Sequence, residues 1–117
     1  MIRTLVCLMV CLSMLACGGS EMGEDSVTRS KKIAAVTADS TKGQTVYDAN
    51  CKVCHKADGK GDAAAGYPDL HMPVAKNPIA AMAQQVIDGN GTMPGFGGTL
   101  TNQQIADVLA YLKATFK

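Results

Sequence analysis

The sequence predicts an all-α fold, with three main helices and long loops arranged around a bound group that supplements a small core. Three observations carry this. No segment alternates apolar and polar residues over the length of a strand. Three segments place apolar residues at helical spacing behind recognisable start signals. The part able to fold, residues 39–117, holds no Trp, three Tyr and two Phe. Domains with so thin a core commonly need a disulfide, a metal or a cofactor to hold them.

The organisation runs in three parts: 1–16, 17–38 and 39–117. Met1 to Ala16 reads as a signal peptide, a basic Arg3 followed by "LVCLMVCLSMLA", a run too short to span a bilayer. It ends at "MLAC", and Cys17 in that setting resembles the lipobox of bacterial lipoproteins, whose cysteine is acylated and becomes the mature N-terminus. That resemblance implies a lipid anchor on Cys17 and a membrane-held protein facing the periplasm or the cell exterior. Residues 17–38 contain few large apolar side chains and no aromatic, the composition of a flexible tether.

The first helix is expected from Ser40, as N-cap, into the cysteine motif; Gly43, Tyr47 and Cys51 fall four apart and share one stripe. Glycine within a helix costs about 1 kcal/mol against alanine, so another backbone is expected to cross closely at Gly43. The second helix is expected after Asn77 as cap and Pro78 in the first turn, with Gly89 beyond its end. Ile79, Met82, Ala83, Val86 and Ile87 trace its apolar face. The third opens with a capping box, Thr101 and Gln104, flanked by Leu100 and Ile105 as a hydrophobic staple. Ile105, Val108, Leu109 and Leu112 form its buried stripe, with Tyr111 beside it.

The chemistry lies in "NCKVCHKADGKG", residues 50–61. Cys51, Cys54 and His55 form C-x-x-C-H, the attachment pattern of c-type haem. Two thiols one helical turn apart can each bond a vinyl group along one porphyrin edge, and the next residue offers its imidazole to the iron. Cys7 and Cys11 leave with the signal and Cys17 takes lipid, so no cysteine remains for a structural disulfide. A zinc site wants four ligands, and beyond this motif the only other histidine is His71. Thioredoxin-like chemistry wants a βαβ context that is absent. The expected cofactor is one covalent haem c per chain.

Methionine is a common sixth ligand in cytochromes c. Met22 lies in the tether and Met82 on a helix face as core filler. Met93 leads, because "GNGTMPGFGG" has glycines that allow close approach to a porphyrin face and a stiffening Pro94. His71 and Met72 are the alternatives.

From about Asp39 to Lys117 the chain resembles a class I c-type cytochrome of the small bacterial monohaem kind. The resemblance rests on Gly43, Tyr47, Cys51, Cys54 and His55 in the first helix, on Met93, Pro94 and Phe96 in the distal loop, on Tyr111 in the last helix, and on "YPDL" with Pro68 and Leu70. It implies the class I cytochrome c fold, and that the Pro68 carbonyl accepts the proximal histidine's Nδ1–H while Leu70 packs on the ring.

The function expected is electron carriage with His55 and Met93 as axial ligands, between redox proteins of unknown identity, and not catalysis. No carboxylate pair, nucleophile–base arrangement or phosphate loop is recognisable. A haem-based small-ligand sensor and a cytochrome subunit of a larger oxidoreductase are the alternatives. From Asp39 onward seven basic residues face seven acidic ones, so no excess charge exists for nucleic acid. Lys52, Lys56 and Lys60 are read as solvated, a docking patch being the second reading. Asn50 is expected on the helix surface.

Overall fold

The computed structural model describes residues 23–117; the leader, Cys17 and Met22 lie outside the described residues. Six helices follow: α1 (Ser26–Ala34), α2 (Ser40–Asn50), α3 (Lys52–His55), α4 (His71–Lys76), α5 (Ile79–Asp88) and α6 (Asn102–Thr115). A 3₁₀ turn sits at Ala63–Ala65. Among the described residues there is no strand, only isolated bridges at Asp62–Tyr67 and Asn90–Met93. None of the described helices is long and apolar enough to cross a membrane.

The central pair is α2 against α6. At their crossing, a methyl group added to Gly43 would overlap the Asp107 carbonyl. The cap of α2 is Asp39 rather than Ser40: its carboxylate accepts from Thr41 N at 2.9 Å and Lys42 N at 3.3 Å. Asp107, buried on α6, accepts from Asp39 N at 2.8 Å and from Gln103 Nε2 at 2.8 Å, which offsets the cost of burying a carboxylate. The helix α6 has the capping box read from its sequence, Thr101 N to Gln104 Oε1 at 2.9 Å and Gln104 N to Thr101 Oγ1 at 3.1 Å. Leu100 and Ile105 are both buried beside it.

Four aromatic groups gather at one end of the pair. Tyr47 lies 5.4 Å from Tyr111 and 5.5 Å from Phe116 between ring centres, and His71 meets Phe116 edge-on at 5.4 Å. Burial raises the Tyr47 hydroxyl above its ordinary pKa of 10.0. The protonated hydroxyl donates to the Lys56 carbonyl at 2.6 Å, fixing the residue that ends α3 with φ of 64°.

Two elements differ from expectation. The stretch 17–38 is not tether throughout, because residues 26–34 form α1 and pack on α5 and α6. Asp25 caps it by accepting from Thr28 N at 2.9 Å, and Lys31 and Lys32 suit the negative end of its dipole. Ile33 is fully buried, a contribution of about 1.5–3 kcal/mol that docks the helix. The loop after the cysteine motif also contains α4, so Asn77 ends that helix instead of capping the next. Its side chain donates to the Pro73 carbonyl at 3.0 Å, and Pro78 takes the cap position of α5.

Candidate functional site

The site is a cleft walled by α2, α4, α5 and α6 and floored by α3. It has two compartments, of about 270 and 420 Å³. Cys51, His55, Pro68, Gln85 and Met93 line both. The smaller is lined by apolar side chains that include Leu70, Val74, Met82 and Leu109; the larger adds Cys54, Tyr67 and Phe96. Concave sites for cofactors run to about 300–1,000 Å³ and are mostly apolar with a few placed polar groups.

The proximal side is built from one helical turn. Cys51 ends α2 and starts α3, and its carbonyl accepts from Cys54 N at 3.2 Å and His55 N at 2.9 Å. Both thiols are free and half-buried. Burial, then the neighbouring Cys54, pushes the Cys51 thiol up to about 11. His55 is buried at 8% exposure, with Nδ1 3.2 Å from the Pro68 carbonyl. As the donor in that bond, Nδ1 leaves Nε2 as the nitrogen available to a metal. Among the described residues no group of three or more His, Cys, Asp or Glu side chains converges as a purely protein-held metal requires.

The distal side comes from the turn after α5. Asn90 N bonds the Met93 carbonyl at 3.0 Å and Met93 N bonds the Asn90 carbonyl at 2.9 Å, which fixes the backbone that carries the thioether. Gly89 has φ of 71°, and a Cβ there would stand 2.5 Å from the Met93 carbonyl, so the turn requires glycine. The Gln85 amide points at the Met93 sulfur at 3.9 Å, within the longer reach of sulfur acceptors.

The other ligand candidates lie elsewhere. Met72 is 58% exposed, and His71 is engaged by Asp69 at 2.6 Å and by Phe116. Neither lines the cleft. Met82 does, as a buried wall of the smaller compartment only. Asn50 lines the larger compartment beside Cys51 instead of facing plain solvent, with its amide on the Val46 carbonyl at 3.0 Å. Gln85 was not singled out by the sequence reading. Its signal was position alone: a polar residue between Met82 and Val86 on the face turned to the cleft.

The donors therefore fit a haem: two thiols at one edge, an oriented imidazole beneath and a thioether in the facing loop, with apolar walls between. Comparison with known proteins agrees. The family model described as cytochrome c oxidase, cbb3-type, subunit III matches residues 38–112. Cytochrome c6 of Picosynechococcus sp. is 38% identical over 91 residues, covering 67% of this chain and 74% of that protein. Cytochrome c6 of Limnospira maxima is 37% identical over 81 residues, covering 63% and 90%. The solved structure of cytochrome c6 from the diatom Phaeodactylum tricornutum superimposes with a TM-score of 0.53 at 31% identity, covering 66% of this chain and 93% of that one. The chain belongs to the small class I c-type cytochromes, with the fold of that class and the function of carrying electrons through covalently bound haem c.

Proposed function

We propose that the chain passes single electrons between redox proteins outside the cytoplasm, with His55 Nε2 and Met93 Sδ as the axial ligands. Cys51 and Cys54 form the thioether bonds, the Pro68 carbonyl orients His55, and Leu70 packs against the ring. Residues 1–16 are the leader, and lipid on Cys17 holds the domain to a membrane. When bound, the haem supplies a one-electron Fe(II)/Fe(III) couple. The protein's part is to hold both ligands in fixed places and to keep water out. Apolar walls such as Val74, Leu109 and Val86 disfavour the extra positive charge of the oxidised state and so raise the potential. Held by both His55 and Met93, the iron would have no open position for a substrate.

The observation that carries this reading is that His55 and Met93 line the same two compartments while Met72 and His71 line neither. The test is the weak near-red absorption band of a methionine-bound ferric haem. Met93→Ala removes it, whereas Met72→Ala and Met82→Ala keep it. A band that survives Met93→Ala overturns the ligand assignment, and a wild type without the band favours the small-ligand sensor.

A further inference from the structure

Arg29 is 6% exposed, and all three of its guanidinium nitrogens are engaged by the segment that follows Met93. Nε donates to the Asn102 side-chain oxygen at 2.7 Å, Nη2 to the Leu100 carbonyl at 2.9 Å, and Nη1 to the Gly97 carbonyl. The same segment is fastened to α5 on its other edge, by Phe96 N to the Val86 carbonyl at 2.8 Å and Gly97 N to the Ile87 carbonyl at 3.2 Å. Gly97 sits between the two, since a Cβ there would meet Ile87 at 3.0 Å and Arg29 at 3.2 Å. Only Pro94 and Gly95 separate Met93 from Phe96, whose ring lines the larger compartment with it. Arg29 itself rides on α1, which precedes the matched residues 38–112.

We propose that Arg29 is a positioning residue for the sixth iron ligand, acting through Gly97, Leu100 and Asn102 to lock the loop from which Met93 projects. The proposal rests on the reading of Met93 as that ligand. Room for the thioether to move off and for an external ligand to enter grows when the loop opens, and the loop is held by bonds to α5 on one edge and α1 on the other. Hydrogen bonds from a charged donor are the stronger kind, and a buried cation left without acceptors is costly, so the fork resists opening. Lysine keeps the charge but has no planar fork to reach three separate acceptors. A helix outside the haem-binding region thus sets how firmly the iron is closed.

The test uses oxidised, haem-loaded protein and imidazole, an external ligand that binds only when Met93 leaves. Its apparent affinity reports the fraction of open loop. Arg29→Lys and Arg29→Gln raise that affinity about tenfold or more. They also speed amide exchange at Phe96 and Gly97 by a similar factor. Val46→Ala, a core change in α2 at a side chain that lines neither compartment, lowers thermal stability without either local effect. Unchanged imidazole affinity in Arg29→Lys, with a near-red band that Met93→Ala abolishes, overturns the proposal alone. Equal changes in Val46→Ala also overturn it, by showing a merely structural role. A band that survives Met93→Ala overturns the ligand reading and this proposal together.

Discussion

Gly43 on α2 and Asp107 on α6 meet backbone to backbone, so closely that a single added methyl group would overlap the Asp107 carbonyl. The crossing brings the start of α2, which leads into the Cys51–His55 motif, against the last helix and sets the spacing of the cleft walls. Asp107 is pinned further, because its carboxylate also holds Asp39 N and Gln103. Gly43→Ala is expected to destabilise the domain by about 3 kcal/mol, the upper range for overpacking. Chemical denaturation of the haem-loaded protein measures it, and a loss under about 1 kcal/mol would mean that the helices slide freely.

Tyr47 places its hydroxyl on the Lys56 carbonyl at 2.6 Å from a fully buried ring. Tyr47→Phe keeps the ring and orphans the acceptor, which costs about 1 kcal/mol. Burial raises the folded pKa above 10.0, so the unfolded chain loses this proton first as pH rises. The wild type's stability therefore falls from about pH 10 upward by a contribution that Tyr47→Phe lacks. Parallel stability curves for the two proteins above pH 10 would refute the linkage.

Gln85 offers an N–H to the Met93 sulfur at 3.9 Å. With Met93 as the proposed sixth ligand, the positive end of that dipole would disfavour the more positive, oxidised iron. Gln85→Leu is expected to lower the reduction potential by roughly 40 mV, the equivalent of one ordinary hydrogen bond of about 1 kcal/mol in a one-electron couple. Potentiometric titration reads it directly. A raised potential would show that dryness outweighs the dipole.

The features legible in the sequence share a cause: each is enforced locally. The capping box of Thr101 and Gln104, the glycine needed at Gly89 and the spacing of Cys51, Cys54 and His55 depend only on neighbours along the chain. Gly43 announced a close crossing because glycine within a helix is otherwise a loss. Two helices were not legible. The first, α1, buries one large apolar side chain, Ile33, and rests otherwise on Arg29, whose acceptors lie about seventy residues away. Hydropathy cannot show a buried arginine. The second, α4, has six residues and a single buried side chain, Val74, too few for a helical period to appear. Pro73 fits within it, because in a first turn its missing N–H has no partner to lose.

The docking of α1 changes what a lipid on Cys17 would do. With residues 17–38 all flexible, the haem domain would roam far from its anchor. With α1 fixed to α5 and α6, only the chain from Cys17 to Asp25 is left between anchor and domain. Fully extended, it reaches at most about 30 Å. A short leash keeps the domain near the bilayer and raises its effective concentration toward a membrane-bound partner without adding any contact. Cys17→Ser is therefore expected to move the haem-stained protein from the membrane fraction to the soluble fraction, since none of the described helices is long and apolar enough to hold it there. Electron exchange with a soluble partner should persist, because the substitution leaves Cys51 and Cys54, the proposed attachment sites, untouched. Exchange with a membrane-bound partner should slow by about a hundredfold or more at equal protein concentration. Wild type and mutant found equally in the soluble fraction would refute acylation at Cys17 and leave the electron-carrying function untouched.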